Sequence, residues 1–125
     1  MSTWHALLYP IKEGSEETVK ELFRNSGRPN FTITDAEGNV VGRLLATMAF
    51  VGAGTAIRVI EVEGPLPVVA AHMSRQPEVR EFERQLEEHL TEGRDMVSPE
   101  GARAFFQKAG MENVLNRRAP DAAAA

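Results

Sequence analysis

Cysteine is absent from the chain. This absence excludes disulfide bonds, metal sites with thiolate ligands and catalysis by a thiol nucleophile. A long hydrophobic run is also missing, because no apolar stretch approaches the ~18 residues that a membrane-spanning helix requires. The N-terminus lacks the basic segment and the apolar region of a signal peptide. We therefore expect a cytoplasmic protein whose fold is stabilised by packing.

An excess of positive charge is missing as well. The 125 residues include 14 lysines and arginines against 18 aspartates and glutamates, a formal net charge of −4. The basic residues are scattered among acidic ones, so the chain offers no long-range attraction to a phosphate backbone. We expect neither nucleic acid nor a membrane as a partner.

Motifs of well-known catalytic sites are absent too. The chain has no G-x-G-x-x-G, no P-loop, no G-x-S-x-G and no H-E-x-x-H. The three histidines are far apart in the sequence and aspartates are few, which is a poor supply of metal ligands. The sequence therefore predicts neither a metal site nor a cofactor.

The pattern of apolar and turn-forming residues predicts the elements of an α+β domain. Gly52-Ala53-Gly54 gives the backbone freedom for a tight turn between two antiparallel strands. The predicted elements up to that hairpin are a strand over residues 4–11, a helix from Gly14-Ser15 to about Asn25, a short strand over residues 31–34 and the two hairpin strands over residues 40–51 and 55–62.

Prolines punctuate the second half of the chain. Pro67 suits the first turn of a helix, and Pro77 is predicted to break that helix into two pieces. Residues 94–97 are a weak strand candidate, and Ser98 begins a final short helix. The charged run within the broken helix is typical of a solvated face; it consists of Glu81, Glu83, Arg84, Glu87 and Glu88.

This order of elements approaches the ferredoxin-like plan, βαββα(β), in which helices cover one face of the sheet. We expect a single domain over residues 1–118 and a disordered tail over residues 119–125. The second face of such a sheet is left uncovered, and one common solution is to pack it against the same face of a second copy. We therefore expect a homodimer.

The segment His72-Met73-Ser74-Arg75-Gln76-Pro77 is the best candidate for a functional site. His72 lies among apolar residues of the broken helix, so we expect it to face the sheet or the rim of a cavity. Histidine is suited to general acid–base catalysis near neutral pH, and Arg75 could stabilise a developing enolate or phenolate. The alternative is a partly buried histidine with a structural role.

Arg58 lies within a β-branched run, where an arginine is rarely without a partner. The favoured interpretation is an ion pair with Glu61 or Glu63, and the alternative is a clamp for an anion or enolate. Arg43 stands at the start of the preceding strand. Trp4, His5 and Tyr9 on the first strand either line a flat aromatic-binding pocket or simply pack.

Several short segments together resemble the SchA/CurD-like family. Their order and spacing cover most of the chain. They are His5-Ala6 with Tyr9-Pro10 and Gly14, Gly42-Arg43-Leu44-Leu45, Arg58-Val59-Ile60-Glu61 with Glu63-Gly64, His72-Met73 and Arg75-Gln76-Pro77 with Val79-Arg80, Arg94-Asp95, Ser98-Pro99-Glu100-Gly101 and Phe105-Phe106.

The resemblance implies a dimeric α/β-barrel protein of aromatic polyketide biosynthesis, including spore pigment pathways, in contact with type II synthase components. It implies an aldol-type cyclase that acts on an aromatic polyketide intermediate without a cofactor. A cofactor-independent anthrone-type monooxygenase and a non-enzymatic accessory protein that binds the intermediate remain alternatives. In this interpretation His72 is the acid or base, Arg75 or Arg58 is the cation, and Arg43 and Gln76 bind the substrate.

Overall fold

The computed structural model describes residues 2–94 and 98–119. The predicted strand over residues 94–97 and the predicted tail over residues 119–125 therefore fall almost entirely outside the described residues. In chain order the described elements are β1 (Ser2–Pro10), α1 (Glu16–Arg24), β2 (Thr32–Thr34), β3 (Val40–Gly52), β4 (Thr55–Glu63), α2 (Leu66–Arg75), α3 (Pro77–Glu87), α4 (Pro99–Ala109) and β5 (Gly110–Met111).

The strands form one antiparallel sheet in the order β2-β3-β4-β1-β5. Apart from the short β2, this order is consistent with the ferredoxin-like plan, and the predicted α+β class is confirmed. The last strand differs from the expectation, because the predicted order ended on a helix. Gly110 and Met111 follow α4 directly and pair with Leu7 and Ala6 of β1. A strand of two residues has no periodicity that a sequence pattern could show.

Turn and cap chemistry explains three predicted boundaries, at the hairpin, at the helix break and at the start of the last helix. Ala53 and Gly54 both have positive φ, 53° and 71°, which suits the two-residue turn of a tight hairpin. Gln76 ends α2 and precedes α3 with ψ near 131°, because an extended conformation is favoured before Pro77. Ser98 caps α4 by accepting a hydrogen bond from the main-chain nitrogen of Gly101 at 3.0 Å. The predicted break at Pro77 is therefore confirmed.

One face of the sheet, the covered face, packs against the helices. Because strand side chains alternate between the two faces, Leu7 and Tyr9 of β1 and Ala56 and Ile60 of β4 share this side. All four are at most 9% exposed. The core beneath the helices has two parts, one under α1, α3 and α4 and one under α2. Arg58 projects from the same side of β4 as these apolar residues.

The opposite face, the open face, has no described helix packed on it. The register places Leu8, Ile57 and Phe50 in one row across β1, β4 and β3, and Val59 beside Met48 in the next. Phe50 is 57% exposed and Met48 is 45% exposed. A group of exposed apolar side chains of this kind commonly marks an interaction surface.

None of the helices within residues 2–94 and 98–119 is both long enough and apolar enough to cross a membrane.

Candidate functional site

Arg58 lies on the covered face, where its guanidinium group meets two aromatic rings. Its central carbon is 5.4 Å from the ring centroid of Phe23 on α1 and 5.0 Å from that of Phe82 on α3. Both distances are within the range of cation–π attraction. Its Nη1 lies 3.7 Å from Oε1 of Glu83, and the Arg58 side chain is 22% exposed. Arg58 thus joins the sheet to two helices.

The predicted ion pair of Arg58 with Glu61 or Glu63 is wrong. These glutamates are odd-numbered residues of β4 and point to the open face, whereas Arg58 points to the covered face. Glu63 instead pairs with Arg43. Alternation along a strand excludes the pairing, and the true partner on α3 lies 25 positions away in sequence.

Arg94 follows α3 and is more deeply buried, with a side chain only 6% exposed. Its Nη2 contacts Glu83, and its Nε donates to Oε2 of Glu87 at 3.0 Å. The main-chain nitrogen of Arg94 also donates to Glu87, to Oε1 at 2.8 Å. Its guanidinium carbon lies 4.6 Å from the ring centroid of Phe105 and 5.4 Å from that of Tyr9.

One nitrogen of the Arg94 guanidinium group lacks a hydrogen-bond partner among the described residues. Nη1 is buried and has no hydrogen-bond partner within the described part of the chain. A buried donor without a partner costs about 1–3 kcal/mol, so natural structures rarely leave one unless it serves a ligand or another group. This nitrogen is the one buried side-chain donor among the described residues whose hydrogen bond is not satisfied.

Tyr9 completes the group. Its ring is 2% exposed and stacks on Phe105 with 5.3 Å between centroids and 14° between planes. Burial raises the pKa of Tyr9 above its ordinary value of 10.0, and the positive charge of Arg58 opposes this in part. The phenol is therefore protonated at neutral pH and can donate a hydrogen bond or a proton.

We call Tyr9, Arg58, Glu83, Glu87 and Arg94 the ionic cluster. Formally it contains two cations, two carboxylates and a neutral phenol, in contact with Phe23, Phe82 and Phe105. Partial burial strengthens electrostatic interactions, because the effective dielectric constant is lower than in water. Such a group can stabilise negative charge that develops on a substrate oxygen.

Three members of the cluster were not predicted from the sequence. Glu83 and Glu87 belong to the run that was expected to be solvated, yet Glu83 is only 14% exposed and both turn toward Arg94. The expectation holds for Glu81, which pairs with Arg84 on the exposed side of α3. The signal that was available is spacing, because residues 83 and 87 are one turn apart and share a helix face.

His72 and Gln76 form a separate network that holds the loop before β2. Nε2 of Gln76 lies 3.0 Å from the carbonyl oxygen of Asn30 and 2.6 Å from Nε2 of His72. Nε2 of His72 lies 3.1 Å from the same carbonyl oxygen, and the main-chain nitrogen of Asn30 donates to Oε1 of Gln76 at 3.3 Å. The two side chains fasten this loop to the break between α2 and α3.

The remaining predicted residues lie elsewhere. Arg75 is exposed in the last turn of α2. Arg43 pairs with Glu63 at 3.3 Å, with both side chains more than 40% exposed. Trp4 lies opposite Glu61 in the register and belongs to the open face. Of the seven predicted site residues, the structure therefore brings Tyr9 and Arg58 together and places His72 beside Gln76.

Two surface grooves border α1, and neither is lined by a residue of the ionic cluster. One, of about 510 Å³, lies at the start of α1. The other, of about 430 Å³, lies between α1 and α3, and Leu22 and Phe82 contribute its apolar part. Phe82 also contacts Arg58, so this residue belongs both to the groove and to the surroundings of the cluster. Its acidic lining residues are Glu21, Glu78 and Glu81.

Within residues 2–94 and 98–119 no three potential metal ligands lie close enough together to hold an ion. The chemistry of the cluster is that of guanidinium, carboxylate, phenol and aromatic groups.

Comparisons with known proteins give a consistent result. Residues 2–118 match the family described as the SchA/CurD-like domain. The chain is 39% identical over 112 residues to polyketide synthase CurD of Streptomyces cyaneus. The aligned region covers 90% of this chain and 29% of that protein. It is 34% identical over 117 residues to a 42.8 kDa protein in the whiE locus of Streptomyces coelicolor, covering 94% and 28%.

A third relative, protein SchA of Streptomyces halstedii, is 34% identical over 110 residues, covering 88% of this chain and 28% of the relative. The chain thus spans less than a third of the length of each of these three proteins. No solved structure matches it.

Proposed function

Because this chain belongs to the SchA/CurD-like domain family, we propose that it acts in aromatic polyketide biosynthesis as an aldol-type cyclase. The name of one relative, a polyketide synthase, supports the substrate class. The observation that supports this reaction type is the ionic cluster. In it, Arg58 and Arg94 both contact Glu83, and each lies against an aromatic ring. Ring closure of a poly-β-ketone requires such a place for a developing enolate.

The chemistry follows from the substrate and the cluster. A methylene group between two carbonyls is already acidic, so a modest base and a cation near the enolate oxygen suffice to form the nucleophile. We propose that Arg58 stabilises this oxygen and that Glu83 accepts the proton through Oε1, which lies beyond hydrogen-bond distance of Arg58. Tyr9, protonated at neutral pH, then donates a proton to the oxygen of the attacked carbonyl.

The segment around His72 has a second role in this proposal. The network of His72 and Gln76 fixes the loop that borders the groove between α1 and α3, since Asn25, Ser26 and Gly27 line that groove. We propose that His72 and Gln76 position this border. Direct proton transfer by His72, with Arg75 as its cation, and substrate contact by Arg43 or Trp4 remain predictions.

The open face supports a further part of the proposal, that the protein is a homodimer in which two sheets face each other as a barrel. Phe50 and Met48 are exposed there in the midst of half-buried Ile57 and Val59. Contact between two such faces would remove these apolar groups from water.

The experiment supplies a poly-β-ketone from a minimal type II synthase and follows products by mass spectrometry and oxygen with an electrode. We expect the wild-type protein to change the pattern of ring closure without oxygen uptake, and Arg58→Gln to slow ring closure about 100-fold. Arg84→Gln, which removes an exposed arginine of α3, is the matched control and should leave the rate unchanged.

The other outcomes identify the alternatives. Oxygen uptake in proportion to quinone formation would identify a monooxygenase. Stoichiometric binding of the intermediate without product would identify an accessory protein. Equal rates for Arg58→Gln and Arg84→Gln would remove the ionic cluster from the reaction.

A further inference from the structure

We propose that β3 binds a second copy of the chain through its outer edge, by antiparallel main-chain pairing centred on Ala49. Residues 45–52 of β3 form this edge, and we call them the free edge. The contact goes beyond the proposed function, because it involves neither the ionic cluster nor a substrate. It also differs from the proposed face-to-face contact, because it joins two sheets side by side.

The free edge has no neighbouring strand. β2 pairs with β3 only as far as Arg43, and the last main-chain bond on this side is donated by the nitrogen of Leu44 to the oxygen of Phe31 at 2.9 Å. Within residues 2–94 and 98–119 no further main-chain bond reaches the outer side of residues 45–52. Thr47 and Ala49 lie on the covered face by strand alternation, yet both are exposed, so the helices do not cover this edge. An exposed, unpaired strand is a template for another strand.

The main-chain groups of every second residue point away from the sheet. Ala53 and Gly54 form a two-residue turn, so Gly52 and Thr55 are a hydrogen-bonded pair. Alternate residues of β3 bond to β4 in the same way, and the residues between them direct their N–H and C=O groups outward. The position of Pro10 agrees with this assignment, since Pro10 lies opposite Thr55 where no main-chain donor is needed. The outward residues of the free edge are Thr47, Ala49 and Val51.

These outward groups are complementary to themselves under a two-fold rotation. When two copies of β3 run antiparallel with the Ala49 residues opposite each other, Thr47 of one copy lies opposite Val51 of the other. Every outward N–H then meets an outward C=O. The same register places Met48 of each copy opposite Phe50 of the other, in the pairs whose side chains approach most closely. Contacts between sulfur and an aromatic ring are favourable, and these two side chains are 45% and 57% exposed in one copy.

Charge favours a second copy as the partner. From Leu44 to Ile57 the chain contains neither a charged residue nor a proline, the residues that commonly protect a sheet edge from pairing. Each copy has a net charge of −4, so two copies repel each other over most of their surface. At the free edge they can meet without opposing like charges. Pairing about a two-fold axis also closes on itself, so the edge contact joins two chains and no more.

The test uses the absence of cysteine, because a single introduced thiol can form only an intermolecular disulfide. In the proposed register Ala49→Cys places two thiols beside the two-fold axis, with Cα atoms about 5.5 Å apart and within the range of a disulfide. Thr47→Cys is the matched control. It is exposed on the same side of β3, but the two copies of this position lie more than about 13 Å apart. Under mild oxidation we expect Ala49→Cys to form the disulfide at least about tenfold faster, measured by non-reducing electrophoresis.

Equal rates for the two variants, or no disulfide with either, would overturn the inference. A face-to-face dimer alone gives no disulfide at Ala49, because this side chain points away from the open face. Edge pairing leaves both open faces on the same side of one extended sheet. It is therefore compatible with the face-to-face contact, and the two contacts together give a tetramer.

A second variant tests the main-chain contact directly. Ala49→Pro removes the outward N–H beside the two-fold axis, and proline is tolerated in an edge strand where this group faces solvent. We expect the dissociation constant of the edge contact, measured by analytical ultracentrifugation, to rise at least about tenfold. Ala49→Val keeps the donor and should leave the constant within about twofold. Equal constants for folded Ala49→Pro and Ala49→Val would contradict the pairing.

These measurements use no polyketide and no turnover, which separates the two proposals. Rapid disulfide formation by Ala49→Cys in a protein that closes no ring would leave this inference standing and reject the cyclase. Ring closure by a protein whose Ala49→Cys and Thr47→Cys variants form disulfides equally slowly would reject this inference and leave the cyclase standing.

Discussion

Each face of the sheet contains side chains that depart from the usual distribution of polarity. The covered face, which lies beneath helices, holds Arg58 and contacts Arg94 and Glu83. The open face, which has no described helix on it, displays Phe50 and Met48. Charges are normally exposed and large apolar groups are normally buried, so Arg58 on one face and Phe50 and Met48 on the other are exceptions to this rule.

The two kinds of exception have different physical meanings. Charged groups beneath the helices are costly to bury and remain there only with partners, which Glu83 and Glu87 provide for all but one nitrogen of Arg94. Exposed apolar side chains are tolerated in a monomer, and their burial against a partner protein is favourable. In the functions proposed above, the covered face takes a small ligand and the open face meets a second copy of the chain.

The largest effect on stability is expected from Arg94→Ala, which disrupts the ionic cluster beneath the helices. This change leaves Glu83 and Glu87 without their main cation at partly buried positions, and removal of one partner from a buried ion pair costs about 3–5 kcal/mol. We expect a loss of that size in the free energy of unfolding, measured by urea denaturation.

Arg84→Ala is the control for this change, because Arg84 also pairs with a glutamate of α3 but lies 64% exposed. Exposed pairs contribute about 0–1 kcal/mol. Similar losses for the two variants would mean that burial does not distinguish the ionic cluster from an ordinary surface pair.

The open face is tested by Phe50→Glu. If two copies meet through this face, a charge in its centre should weaken the dimer by about 2 kcal/mol or more, which analytical ultracentrifugation measures as a higher dissociation constant. Val68→Glu places the same charge on α2, at a residue 38% exposed and away from the open face. A monomeric wild-type protein, or dissociation by Val68→Glu alone, would contradict the dimer.

Much of this fold, a sheet with helices on one face, could be predicted from local sequence. The hairpin at Ala53 and Gly54, the helix break at Pro77 and the cap at Ser98 depend on backbone chemistry within a few residues. The face without a described helix followed from the order of elements. These features need no knowledge of distant contacts.

The site could be predicted only in part, because it is assembled from distant segments. Arg58 and Tyr9 stood out as polar residues within apolar strands. Glu83 lies 25 positions after Arg58 and looks like any glutamate of an exposed helix, since sequence spacing shows which residues share a helix face but not which face is buried. Arg94 lies beyond the end of α3, where no periodicity indicates its direction.

A smaller effect is expected at the second polar group of the covered side. His72→Ala removes the ring that lies within hydrogen-bond distance of Asn30 and Gln76, and should cost about 1–2 kcal/mol with faster amide exchange in residues 27–31. His5→Ala is the control, because His5 contacts Thr3 on its own strand. Loss of ring closure with unchanged exchange in this loop would instead support proton transfer by His72.

The smallest effect at neutral pH is expected for Tyr9→Phe. The ring can still stack on Phe105, so the free energy of unfolding should change by less than about 1 kcal/mol. The wild-type protein and Tyr9→Phe should differ in stability at alkaline pH. Because burial raises the pKa of Tyr9 above 10.0, the folded state holds this proton more tightly than the unfolded state does, and stability falls as the pH rises past 10.

The chain has a single tyrosine, so tyrosinate absorbance reports on this group alone. In the folded protein the midpoint should lie above 10, and in concentrated urea it should return to the ordinary value. Tyr9→Phe should lose the part of the alkaline destabilisation that comes from this phenol. A midpoint at or below the ordinary value would mean that the arginines act on Tyr9 more strongly than burial does, and that the covered face prefers a phenolate to the phenol the cyclase proposal requires.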